Sequence, residues 1–160
     1  MYLDRVKAYF AEVNARVHLA DGVTPCTERE VTDLEEKLGL QVPDAYKEFL
    51  LWMGHGAGNF LRGTDCFYDS LPLNEAACEL LTEDNVTLQL PEDAFVFYMH
   101  QDYQFMFLRT SEGPNPPVYF YAEESRDKGF QTLYESFSDF LATEIDGHER
   151  LFLEMGRANR

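Results

Sequence analysis

Positive charge is scarce in this sequence. Thirteen lysines and arginines stand against 29 aspartates and glutamates over 160 residues, leaving a formal charge of −16. That surplus repels phosphate and argues against nucleic acid or an anionic membrane as a direct partner. Long apolar runs are missing too, and none approaches the ~18 residues a membrane-spanning helix needs. The opening MYLDRVKAYFAEVN mixes charged with apolar residues and lacks the continuous apolar stretch of a secretory signal. Cysteine is sparse and odd in number: Cys26, Cys66 and Cys78 form no C-x-x-C pair. A disulfide framework is therefore not expected, and a reducing cytoplasmic location is. The plain expectation for each thiol is a small buried hydrophobe.

Core-building residues are plentiful. Hydrophobic residues make up 45% of the chain and aromatics 14%, enough for one domain that buries roughly 68–70% of its unfolded surface. The negative charge is uneven. Residues 61–125 hold 12 acids and two bases, whereas residues 1–60 hold ten and six, and residues 126–160 seven and five. Solubility alone can explain acidity; a concentrated acidic segment also suits docking onto a basic protein.

Leu3, Val6, Phe10, Val13 and Val17 recur at helical spacing, predicting a helix over about 3–18. Thr27 three residues before Glu30 is a capping-box pattern for a second helix, which Gly39 closes in the left-handed conformation. Pro43 can open a third helix with Tyr46, Phe49, Leu50 and Met53 on one face, ending at Gly54. The cluster Gly54-His55-Gly56-Ala57-Gly58 thus follows a helix. A phosphate-binding loop precedes one, so that N–H groups and the positive helix end meet the anion. The cluster is expected to be a helix stop and a turn into a strand. Asn74–Leu81 reads as a short helix and 86–90 as a strand. Two aromatic strands are expected within Ala94–Thr110, about a turn at His100–Asp102, and a third in PPVYFYAEE (116–124). Ser136 with Asp139 heads a closing helix carrying Phe137, Phe140, Leu141 and Ile145, and a separate short helix near His148–Met155 is possible. The fold class is α+β: a single domain, N-terminal helices on a largely antiparallel sheet, then a closing helix.

Chemical motifs are weak. His100 lies near Asp102, and Asp65 and Asp69 flank Cys66. A base oriented by a carboxylate, or a cysteine nucleophile, can be built from such groups. With so many acids, chance proximity and a polar hairpin tip explain them better, so no catalytic residue is assigned. His18, His55, His100 and His148 are far apart and show no metal-ligand spacing, so no metal or cofactor is expected. Trp52 reads as core before contact. Tyr103 follows Asp102, so on a strand the two would point to opposite faces.

The run Val31-x-x-Leu34-Glu35-x-x-Leu38-Gly39-Leu40-x-Val42-Pro43-x-x-Tyr46-Lys47-x-Phe49-Leu50 resembles the signature of the SUKH superfamily, which includes a fungal cell-wall-synthesis regulator and many bacterial immunity proteins. Asp102-Tyr103, VYFY and SFSDFL (136–141) continue the likeness, which spans about residues 27–145. Met53-Gly54-His55-Gly56 stands where an asparagine-glycine turn is usual, and Val42 where leucine is common. The resemblance implies a packing signature (Leu34, Glu35, Leu38, Gly39, Pro43, Tyr46, Phe49, Leu50, Gly54 and Gly56) with no catalytic residue in it. It also implies a non-enzymatic binding domain, typically an immunity protein that covers the active site of a cognate toxin, often a nuclease. Nucleases are commonly basic, which the acidic segment complements.

The expected function is therefore neutralisation of a basic toxin domain by occlusion. The alternative is a regulator or scaffold binding a cellular protein unrelated to toxins; a third reading is a small-ligand binder or enzyme with a cleft between sheet and helices. Asp65, Asp69, Glu92, Asp93, Asp102, Tyr103, Glu123 and Glu124 are the expected contacts, and the aromatic strand edges suit a monomer or a dimer.

Overall fold

The computed structural model describes residues 1–160. Three helices come first: α1 (Asp4–Val17), α2 (Glu28–Leu38) and α3 (Asp44–Met53). A fourth, α4 (Asn74–Glu83), precedes strands β1 (Ala94–His100), β2 (Gln104–Arg109), β3 (Val118–Ala122) and β4 (Gln131–Tyr134), and α5 (Phe137–Ala158) closes the chain. The strands form one antiparallel sheet in the order β1-β2-β3-β4. One cluster of 40 buried residues runs through helices and sheet alike, so the α+β chain has one core.

Local signals place the helices. Thr27 accepts the Glu30 N–H while the Glu30 carboxylate accepts the Thr27 N–H, closing the capping box. Gly39 ends α2 at φ 65°, where a Cβ would be penalised. Pro43 stands just before α3 and makes no side-chain capping bond, whereas Ser136 caps α5 by accepting the Asp139 N–H.

Both faces of the sheet are buried by aromatics. Phe95 and Phe97 of β1 meet Tyr46 of α3, and Phe97 also packs on Phe137 and Phe140 of α5. On the other face Phe105 stacks on Tyr121 and Phe107 on Tyr119, with Phe130 edge-on to both phenylalanines. The Tyr121 hydroxyl donates to Asp84 at the end of α4 at 2.6 Å, tying that helix to this second face. The outer edge of β1 is occupied as well. Asn74 bonds the Ala94 carbonyl and the Val96 N–H, and Asp65 exchanges backbone hydrogen bonds with Met99, leaving few free strand groups.

Several expectations are corrected. Residues 86–90 form no strand; Val86, Leu88 and Leu90 are half-buried straps against the core, with polar residues between them facing solvent. That arrangement gives a strand-like alternation without a pairing partner. The glycine cluster does not lead into a strand. It enters a looped segment held by isolated bridges, Thr24 to Gly56 and Ala57 to Phe60. β4 has no counterpart among the expected strands, because its first three residues are exposed and show no apolar face. The closing helix is continuous for 22 residues, through Gly147. A mid-helix glycine costs about 1 kcal/mol; here α1 holds the helix beyond it, with Arg16 on Glu149 at 2.7 Å. Asp102 and Tyr103 lie in the β1–β2 turn, both exposed, so strand alternation does not separate them.

His148 of α5 secures the loop after α3. Its Nε2 accepts the Leu61 N–H at 2.9 Å and its ring packs edge-on to Phe60. Burial pushes its pKa below the ordinary 6.5. The unfolded chain therefore takes up this proton first, so the contribution of His148 to stability is complete above about pH 6.5 and is lost as pH falls through the lower folded value. Glu144, whose carboxyl is pushed up by burial, acts in the opposite sense above the ordinary carboxylate range. The difference between the parent chain and His148→Gln isolates the histidine. In urea titrations across pH 5–7.5, the parent is expected to lose stability relative to the variant as pH falls, by at most about 1.4 kcal/mol per pH unit. Parallel curves would show that His148 is not held neutral.

Candidate functional site

Five of the eight expected contact residues gather at one end of the sheet. In this antiparallel arrangement the end of β1, the start of β2 and the end of β3 lie together. Asp102 and Tyr103 form the tip between β1 and β2, where Gln101 and Asp102 take positive φ. The Glu123 N–H donates to the Tyr103 carbonyl at 3.0 Å, which locks the tip to the segment after β3. Tyr103, Glu123 and Glu124, with Arg126 and Asp127, line a surface recess of about 550 Å³. Asp65 joins this end through its bridge to Met99. Tyr103 is 37% exposed, an aromatic ring framed by carboxylates. Asp127, which had no distinguishing sequence signal, belongs to the same rim.

The other three lie elsewhere. Glu92 and Asp93 precede β1 and sit at the opposite end of the sheet. Glu92 is exposed, whereas Asp93 is largely consumed by the fold. Its carboxylate accepts from Arg109 at 2.9 and 3.0 Å and from Ser111. Burial works against its ionisation, but the bonds from Ser111 and Arg109 outweigh it and hold the carboxyl below the usual range. Asp69 lies beside His55, with Oδ1 3.5 Å from Nδ1.

The weak catalytic readings do not assemble. His100 packs edge-on to Tyr103 and makes no hydrogen bond to Asp102. Cys66 is 2% exposed, and burial pushes its thiol up to about 12, far from an activated nucleophile. An apolar recess of about 480 Å³ lies outside α3 and α1, away from the sheet, and is lined by Tyr2, Leu51 and Trp52 among charged residues. Trp52 is half-buried there, edge-on to Phe10 and under Lys7.

One polar cluster appears that sequence spacing could not show. Cys26 Sγ, a Glu30 carboxylate oxygen and a His55 ring nitrogen lie within 4.8 Å of one another. Cys26 is 5% exposed, and burial raises its thiol to about 12. Glu30 Oε1 is 2.9 Å from His55 Nε2. The Thr27 N–H first, and then the His55 ring, hold the Glu30 carboxyl below its ordinary range. These groups are the residues in the structure best placed to hold a metal.

The SMI1 / KNR4 family (SUKH-1) profile matches residues 25–143. The chain belongs to that family, whose members are generally non-enzymatic immunity and regulatory proteins. No curated protein matches the sequence. No helix is long and apolar enough to cross a membrane.

The burial of two thiols has a direct readout. With excess thiol reagent at mildly alkaline pH, the folded chain is expected to yield one fast equivalent, from exposed Cys78, and two more only after unfolding. Cys78→Ser should remove the fast phase. A second fast equivalent would show that Cys26 or Cys66 is reactive.

Proposed function

We propose that the chain is a non-enzymatic immunity protein of the cytoplasm, which neutralises a basic toxin domain, of which a nuclease is the leading chemistry, by covering its active site. The acidic end of the sheet is the docking face. The observation that carries this reading is the recess lined by Tyr103, Glu123, Glu124 and Asp127, with Asp102 at the adjoining tip and Asp65 at the same end of the sheet, from three separate stretches of chain. The backbone that carries these carboxylates is fixed by strand ends and by the Glu123 N–H on the Tyr103 carbonyl, which lowers the ordering cost of binding. A basic nuclease surface presents the field that such a cluster meets, and the attraction speeds encounter as well as tightening the complex. Tyr103 supplies the apolar anchor that interface centres favour. Occlusion needs no turnover and no cofactor.

The test is binding, at low and high salt, to any toxin domain encoded beside this gene. Asp102→Asn/Glu123→Gln/Glu124→Gln is expected to weaken binding at least about tenfold at low salt, or roughly 1.4 kcal/mol. The gap should shrink at high salt. Glu12→Gln/Asp21→Asn/Glu36→Gln removes equal charge from exposed sites elsewhere and should change binding little. Equal losses in both variants would reduce the effect to net charge. No binding by the parent chain would favour a regulator of a cellular protein instead.

A further inference from the structure

Cys26, Glu30 and His55 come from three segments: the turn before α2, the first turn of α2, and the residue after the Gly54 that caps α3. We propose that they form a binding site for zinc or a closely similar divalent metal, with water completing a tetrahedral shell.

The donor set fits that ion. Thiolate sulfur, imidazole nitrogen and carboxylate oxygen are the three protein ligand types of zinc. Zinc bonds of about 2.0–2.3 Å put tetrahedral ligand atoms roughly 3.3–3.6 Å apart. The three atoms already lie within 4.8 Å, so closure takes at most about 1.5 Å of relative side-chain movement. Entry is open from one side: Cys26 is buried, while His55 and Glu30 side chains are 24% and 32% exposed.

Each ligand is also held from behind, as metal ligands are. Glu30 Oε2 accepts the Thr27 N–H at 2.8 Å and the Thr27 hydroxyl at 3.1 Å, which turns Oε1 toward His55. The other ring nitrogen of His55 faces Asp69, and Tyr68 packs edge-on to the ring. In the metal-free chain a ring proton joins His55 Nε2 and Glu30 Oε1 at 2.9 Å; a metal ion taking that proton's place finds both atoms already turned toward it, with Nδ1 free to carry the proton toward Asp69. Cys26 is fixed through its N–H, which donates to the Leu50 carbonyl at 2.9 Å. Its sulfur lies so close over Gly54 that a Cβ there would collide with it. The field helps as well: the negative end of α3 points toward the site, and Glu28 and Glu30 offset the positive end of α2. On binding, the Cys26 thiol gives up its proton to solvent, the metal–sulfur bond replaces the S–H bond, and no electron changes hands. Asp69, expected from the sequence to meet a partner, becomes the group that orients His55. The bound ion would pin the α2 and α3 ends of the signature together.

The full chain, reduced and stripped of metal, is titrated with Zn²⁺ against a competing chelator, and with Co²⁺ while the thiolate-to-cobalt charge-transfer absorption is followed. One equivalent is expected, with a thiolate band and a higher melting temperature in its presence. Cys26→Ser and His55→Gln should abolish the band, and Asp69→Asn should weaken binding about 10- to 100-fold. His55→Gln alters a partly exposed ring and is checked for intact fold by circular dichroism. Cys78→Ser should leave everything unchanged. Absence of a band in the parent chain overturns the proposal, as does a band that survives His55→Gln or disappears in Cys78→Ser.

Discussion

Tyr46 is where the layers of the molecule meet. Its fully buried ring lies 4.8 Å from Phe95 and 5.2 Å from Phe137, both edge-on, with Phe49 and Phe97 tilted against it. One side chain on α3 thus contacts β1 and the start of α5 together. Such ring pairs add about 0.5–1.5 kcal/mol each beyond the area they bury. Truncating a large core aromatic to alanine costs about 3–5 kcal/mol, a large part of the 5–15 kcal/mol that holds a domain together. The tyrosine of the family signature is therefore a packing requirement. Fixing α3 on the sheet also fixes Gly54 and His55, where that helix ends.

The same sheet decides which charges can act together. A six- or seven-residue strand spans about 20 Å, well beyond the ~8 Å over which charges interact at physiological salt. Carboxylates at the two ends of the sheet therefore behave as separate groups. At one end Asp93 is tied to Arg109 and Ser111 and stabilises the fold. At the other, Asp102, Glu123 and Glu124 are exposed around Tyr103. The acidity of residues 61–125 is thus divided by topology into a part that holds the chain together and a part free to meet a partner.

What could be read from the sequence follows from how local each signal is. The capping box of Thr27 and Glu30, the Gly39 stop and the Ser136 cap depend on neighbours three residues away, and all form as expected. The aromatic runs of β1, β2 and β3 carry enough apolar side chains to mark strands buried on both faces. β4 is an edge strand whose place is set by pairing with β3, and nothing in Gln131–Tyr134 announces it. Residues 86–90 mimic a strand because a strap over a core also alternates. The acids among the proposed contacts are legible in the sequence as acids and illegible as a surface, since only strand order says which of them share an end. Cys26 and His55 stand 29 positions apart, so no spacing rule could have joined them with Glu30.

The central claim, that this domain works through the acidic end of its sheet, is tested most directly by amide hydrogen exchange with and without the proposed partner, a basic toxin domain. Protection concentrated in residues 101–104 and 123–128, with little change at 91–94 and 109–113, is the predicted footprint. Protection at 91–94 and 109–113 instead, or on α1 and the outer side of α3, would contradict it and move the working surface elsewhere on the fold.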